Sequence, residues 1–245
     1  MRVTMIGHST VLLEVGGIRL LTDPYFGSWG NPAYQRVDRP ALSRDDVPDV
    51  DAVLLSHLHW DHVDRRYLRS LAESTPVLAP ASARWLARVH GAQTVVGLRH
   101  WTDAAVGRAV KVTAVPALHL ARTIGFVIQG EGHSVYFAGD TYRRPFMRRI
   151  ASTLRPDVAL MPVTTFRVPL TMGERSAAAA ARDLGAAVFI PIHRGVRPRS
   201  PLLRTRQSPE GFARRIAEDN VQAEVVVLEP GDTWEMAERK GAEVA

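Results

Sequence analysis

Three of the nine histidines of this chain fall within six residues, in the run Ser56-His57-Leu58-His59-Trp60-Asp61-His62. By chance, the pattern His-x-His-x-Asp-His arises in on the order of one such chain in a thousand. Imidazole and carboxylate are donors for divalent cations. The chain has no cysteine, so disulfides, thiolate zinc sites and cysteine nucleophiles are all excluded and any metal must sit on His and carboxylate. At the end of a strand, His57 and His59 project the same way and can share one cation, while Asp61 and His62 in the following turn can reach a second. This cluster supplies only half of a two-metal site. Three later residues stand directly after apolar, strand-like segments: His119 after 112–118, Asp140 after 135–139 and His193 after 187–192. Singly, each reads as an ordinary histidine or a helix-capping Asp; their shared position at strand ends makes them candidate ligands.

The chemistry of such a set is hydrolysis. Two cations a few ångströms apart hold one water between them and lower its pKa from about 15.7 towards about 7, giving hydroxide at neutral pH, and the same pair polarises the scissile group. The carboxylates of Asp61 and Asp140 offset part of the charge, and Asp61 can accept the proton of the nucleophile. Asp61, His62 and Asp140 are therefore the candidate catalytic residues. Zinc suits the imidazole-rich position best, and a mixed His and carboxylate position also accepts manganese or iron.

These side chains need elements that end in one place. Residues 3–6 and 10–15 are strand-like, and Gly16-Gly17 before 18–22 is the two-residue signal of a β-hairpin. Residues 25–48 carry Gly, Pro, Asn and paired charges without periodicity and read as a long loop, the kind that is more often functional than idle. A short apolar strand at 51–56 leads into the His cluster. Strands are expected at 77–79, 109–115, 123–129, 134–138, 158–161, 187–190 and 223–228, with helices at 65–73, 82–89, 145–154, 174–184 and 209–218. Two such series without a Pro/Ser-rich linker predict one domain over 1–245, built of two stacked sheets flanked by helices.

At this point the residues show a resemblance. Gly7-His8-Ser9-Thr10, Leu21-Thr22-Asp23-Pro24, His57 to His62, Val115 to His119, Phe137 to Thr141 and Pro191-Ile192-His193 together resemble the metallo-β-lactamase superfamily. Most similar is the branch with N-acyl-phosphatidylethanolamine phospholipase D, ascorbate 6-phosphate lactonase and small bacterial metal-dependent hydrolases. The resemblance implies an α/β (α+β) fold, an αββα sandwich of two mixed β-sheets with two metals at one edge. It implies His57, His59 and His119 on the first ion, Asp61, His62 and His193 on the second, and Asp140 bridging them. His8 and Asp23 match positions beside the metals and are expected to orient the ligands. It also makes a homo-oligomer an expectation.

Hydrophobic residues are 46% and charged residues 23% of the 245, which fits a packed globular protein and excludes a disordered or collagen-like chain. No run reaches the 18 or more apolar residues of a membrane span, and the start reads as a strand rather than an export signal, so a cytoplasmic location is expected. The net charge of +6 comes from 31 basic against 25 acidic residues, almost all the basic ones arginine, and is spread along the chain rather than gathered in a nucleic-acid stripe. Arginines nevertheless crowd the site segments, and Arg122 and Arg194 are expected to hold an anionic small molecule. The expected activity is hydrolysis of an ester-type bond by a metal-bridged hydroxide, with a phosphodiester or other phosphorylated small molecule as substrate. The alternatives are a lactonase, a nuclease of the same superfamily and a non-catalytic metal-bearing sensor. The aromatics Tyr25, Phe26, Trp29 and Tyr34 of the long loop suggest a lid over the site.

Overall fold

The computed structural model describes residues 1–27 and 33–236. Strands β1 (Arg2–Gly7), β2 (Thr10–Val15) and β3 (Ile18–Thr22) form an antiparallel meander. Gly16 and Gly17 close its second turn at φ 61° and 69°, the left-handed region a two-residue hairpin requires. Strand β4 (Tyr34–Arg36) leaves this sheet, and β5 (Ala52–Leu54) rejoins it parallel to β3. Helix α1 (Arg65–Ser70), β6 (Val77–Pro80), α2 (Arg84–Val89) and β7 (Val95–Leu98) continue the parallel half.

The second sheet repeats the scheme. Strands β8 (Asp103–Val106), β9 (Val110–Pro116), β10 (Ile124–Gly130) and β11 (His133–Phe137) run antiparallel. After α3 (Phe146–Leu154), β12 (Val158–Pro162), α4 (Glu174–Leu184) and β13 (Val188–Ile192), the pairing is parallel. Strand β14 (Val196–Pro198), helix α5 (Pro209–Glu218), β15 (Glu224–Val225) and β16 (Thr233–Glu235) complete the order. Strand β16 crosses back to pair with β1, so the two seven-stranded sheets are β16-β1-β2-β3-β5-β6-β7 and β15-β13-β12-β11-β10-β9-β8.

Alternation along the strands explains the layers. In β11, Val135 and Phe137 face the other sheet, where they meet Met5, Leu13 and Leu54, while Tyr136 faces the helices with Met147, Ile150 and Phe212. The alanine run of α4 gives the close approach expected of a tightly packed helix, with Ala177, Ala178, Ala180 and Ala181 buried. On the opposite flank α1 and α2 cover the first sheet through Tyr67, Leu68 and Ala87. This is the αββα sandwich of two mixed sheets.

The strand directions decide where chemistry can happen. Strands β1, β3 and β5 run the same way, as do β9, β11 and β13, and their C-terminal ends share one edge of the sandwich. His8, Asp23, His119, Asp140 and His193 each stand within three residues of such an end, with His57 three residues past β5.

The long loop expected over 25–48 contains an element. Strand β4 pairs antiparallel with β14, Tyr34 opposite Pro198 and Arg36 opposite Val196. Strands β7, β8 and β16 are likewise absent from the sequence reading, and the strand expected at 223–228 shrinks to two residues. Trp29, one of the aromatics expected in the lid, lies outside the described residues.

Candidate metal centre

Strands β3 and β5 end side by side, and the Asp23 N–H donates to the Leu54 carbonyl at 2.9 Å. That places the Asp23 carboxylate under the His cluster, where it accepts three hydrogen bonds. Oδ1 takes the Ser56 N–H at 2.7 Å, and Oδ2 takes the Ser56 hydroxyl at 2.6 Å and His62 Nδ1 at 2.7 Å. Ser56 has given its single proton to Asp23, so its oxygen receives one from His57 Nδ1 at 2.9 Å. One buried carboxylate thus fixes both rings with Nδ1 protonated. In the neutral rings this leaves Nε2 of His57 and His62 with lone pairs facing the interior.

Asp140 stands at the middle of the cluster. Its Oδ2 is 3.1 Å from His193 Nε2, 3.5 Å from His119 Nε2, 3.6 Å from His62 Nε2 and 3.9 Å from His57 Nε2. The close approach rests on Gly139, at φ 54°, where a Cβ would lie 2.4 Å from the Ser56 Cβ. His8, Asp23 and His193 also hold positive φ, at 58°, 32° and 61°, strain that the surrounding structure must impose.

His8 is oriented from the far end of the chain. The Gly195 N–H donates to His8 Nδ1 at 3.1 Å, and the His193 N–H to the His8 carbonyl at 3.0 Å. With Nδ1 accepting, the neutral ring carries its proton on Nε2, which lies 3.4 Å from Asp61 Oδ2. In that tautomer His8 turns an N–H towards Asp61 and has no lone pair there to offer a cation. A Cβ on Gly195 would lie 2.9 Å from the His8 Cβ, so only glycine permits this contact without displacement.

The electrostatics favour neutral imidazoles around two carboxylates. Burial pushes His8 down to about 3 and His119 down to about 4, and holds His57 well below its ordinary value. Burial opposes charge on Asp140 and Asp61 too, but His193 and His62 keep Asp140 well below the carboxylate range, and His8 and His62 keep Asp61 low. Burial also opposes a charged His62, yet Asp140 and Asp23 together hold it well above the usual value.

The donor set fits divalent cations. One ligand atom from each of His57, His59 and His119 lies within 4.8 Å of the others, and the same holds for His8, Asp61, His62 and His193. His59 Nδ1 and His119 Nε2 face each other at 3.2 Å. His57 Nε2, His62 Nε2 and Asp140 Oδ1 are buried without a hydrogen-bond partner. Buried polar atoms are nearly always paired, so inward-facing nitrogens and a carboxylate left unpaired together match a cation-binding cluster.

All seven expected ligands are brought together, with His8 and Asp23 beside them. Arg122 and Arg194 make hydrogen bonds to other parts of the chain. Arg194 gives one terminal nitrogen to Glu229 at 2.9 Å and the other to the Leu228 carbonyl, so the fork expected to hold an anion is occupied. Arg122 donates to the Ser82 carbonyl at 3.2 Å. Both arginines follow ligand loops in sequence, but their side chains are drawn to carbonyl and carboxylate partners the sequence does not reveal. Sequence reasoning missed Ser56, Gly139 and Gly195. Ser56 directly precedes His57, and each glycine lies beside or two residues from a candidate ligand, which is the signal that could have found them.

Residues 18–194 match a family described as Beta-lactamase superfamily domain. A UPF0173 metal-dependent hydrolase of Methanopyrus kandleri is 32% identical over 96% of this chain and all of its own length. One from Pyrococcus abyssi is 30% identical over 96% of this chain and 99% of its own. Among solved structures, Igni18, a metallo hydrolase from Ignicoccus hospitalis, superposes with a TM-score of 0.77 at 25% identity, covering 96% of this chain and 99% of that one. An isothiocyanate hydrolase from Delia radicum gut bacteria shares the fold, with a TM-score of 0.80 at 18% identity over 98% of this chain and all of its own.

Proposed function

This chain belongs to the beta-lactamase superfamily and, within it, to the UPF0173 metal-dependent hydrolases, and from that premise we propose that it hydrolyses an ester-type bond at a two-cation centre. His57, His59 and His119 would hold one divalent ion, zinc by preference, and Asp61, His62 and His193 a second, with Asp140 between them. Bound there, the ions supply Lewis acidity and a water acidic enough to ionise at neutral pH. The chain's own residues do the rest. Asp23 and Ser56 hold the rings of His57 and His62 so that their unprotonated nitrogens face inward. Asp61, kept ionised, accepts the proton released by the attacking water, and His8 Nε2–H stands 3.4 Å from that carboxylate. Asp140 offsets charge at the centre of the cluster. The packed sheets around these groups prevent the side chains from relaxing away from one another.

The observation that carries this reading is the convergence of seven His and Asp side chains with inward atoms left unpaired. The test is elemental analysis of chelator-treated and reconstituted protein, coupled to turnover of bis-p-nitrophenyl phosphate, p-nitrophenyl esters and lactones at neutral pH. Turnover should follow cation content and vanish in His119→Ala. Two bound cations with no turnover of any ester would overturn the hydrolase reading in favour of a non-catalytic metal protein.

A further inference from the structure

The segments around the ligands also carry apolar side chains for which the hydrolytic chemistry has no use. Leu118 and Leu120 flank His119 and are 41% and 72% exposed. Tyr142, two residues past Asp140, donates its N–H to the Leu118 carbonyl at 2.9 Å and places its ring 6.5 Å from that of His119. Its hydroxyl donates to the Pro169 carbonyl at 3.1 Å, which ties the loop after β12 to this rim. Val168 on that loop is 60% exposed. Phe166, from the same loop, stacks on Tyr34 with ring centres 5.0 Å apart, and Tyr34 stacks on Trp60 at 6.2 Å. Trp60 stands in sequence between the candidate ligands His59 and Asp61. The β4–β14 pair supplies the Tyr34 ring, giving that small sheet a place in the site.

A single exposed leucine on a surface is ordinary. Three exposed aliphatic side chains and three stacked rings on segments next to the ligand loops, beside a buried polar floor, are the make-up of a site for an amphiphilic ligand. Two arginines of the flanking segments are engaged within the protein. Arg36, whose guanidinium lies 4.3 Å over the Tyr25 ring, is bonded to the carbonyls of Asp38 and Tyr25, and Arg194 to Glu229 and Leu228. Resting on the hydrolase reading above, we propose that the substrate is an ester carried on an apolar body, a medium-length acyl chain or an aryl ring, that lies along these side chains while the ester reaches the cluster.

Two measurements test it separately from the hydrolase reading. In reconstituted protein, KM for p-nitrophenyl acetate, butyrate and octanoate should fall by about tenfold or more along the series, since each added methylene gains contact with the rim. Leu120→Ser and Val168→Ser, surface changes that spare the core, should bring the octanoate-to-acetate ratio back towards one. In metal-free protein, 1-anilinonaphthalene-8-sulfonate should bind and be displaced by octanoate but not by acetate, and both substitutions should weaken its binding severalfold. Displacement by octanoate without turnover of any ester would uphold the rim and sink the hydrolase. Turnover that ignores chain length, with dye binding unchanged in both variants, would overturn the proposal. So would tight binding to phosphatidylcholine vesicles with no preference for the monomeric octanoyl ester, because that would assign the rim to a lipid surface.

Discussion

Replacing Asp23 by Asn changes one atom and should disable two ligands. The carboxylate accepts from the Ser56 N–H, the Ser56 hydroxyl and His62 Nδ1. If the amide oxygen keeps the Ser56 N–H, the amide nitrogen confronts the other two donors. His62 must then turn Nδ1 into an acceptor and move its proton to Nε2. Ser56, now accepting from the amide, sends its own proton to His57 Nδ1, and that ring also shifts its proton to Nε2. Both inward nitrogens lose their lone pairs. Loss of such an orienting partner costs 10- to 100-fold in metal affinity, so at 1.4 kcal/mol per tenfold the penalty is about 1.4–2.8 kcal/mol for each ion. Ser56→Ala breaks the link to His57 alone and leaves the Asp23–His62 bond, so it should weaken one binding step only. The assay is competition for zinc against a chromophoric chelator, read as two steps, with thermal unfolding of the metal-free variants as a folding control. Wild-type affinity in both steps for Asp23→Asn, or equal weakening of both steps by Ser56→Ala, would refute the relay.

Other outcomes follow from the same structure. In the metal-free chain His8 and His119 sit at about 3 and about 4 against an unfolded value near 6.5, so between pH 6.5 and 4 the unfolded state binds protons that the folded state refuses; stability should fall as pH drops through that window, by up to about 1.4 kcal/mol per pH unit for each ring, and urea midpoints level from pH 7 to 5 would contradict this. Gly195→Ala forces a Cβ to within 2.9 Å of the His8 Cβ and should cost about 1–3 kcal/mol, seen as a lowered Tm; an unchanged Tm would mean the loops part without strain. Burial raises the Asp183 carboxyl, but hydrogen bonds from Arg143 at 2.6 Å and Arg148 at 2.8 Å hold it below its ordinary value. Its stabilisation is present above the unfolded carboxyl value and lost as pH falls through the folded one, so the stability gap between the protein and Asp183→Asn should be open at pH 7 and closed in strong acid, by chemical denaturation at both pH values.

The parts of the site that the sequence shows well are those written in side-chain type and strand ends. His57 to His62 announce themselves by spacing, and His119, Asp140 and His193 by following apolar segments whose period is that of buried strands. The two-sheet architecture is legible because its central strands are near-continuous apolar runs, as in β12 and β13. The peripheral strands are not, since their pairing comes from position rather than composition: β4 contains Gln35 and Arg36, β16 contains Thr233 and Glu235, and each becomes a strand only beside β14 or β1. The partners of the arginines are hidden for a related reason. A guanidinium reaches far from its Cα, and which carbonyl or carboxylate captures it depends on neighbours distant in sequence, such as Glu229 for Arg194. The apolar rim is hidden likewise, because Tyr34, Trp60 and Phe166 come from three separate segments.

The bond from Gly195 to His8 spans 187 residues, and the edge strand β16 lies beside β1 with Glu235 opposite Arg2. During synthesis at about 5–20 residues per second, His8 must wait on the order of 10–40 s before its partner has been made. Ribosome-bound intermediates that stop short of His193 own the whole His57 cluster yet lack the loop that sets its back wall. The group of Asp61, His62 and His193 is thereby completed late in synthesis, and its closure marks a polypeptide whose distant segments have already found each other.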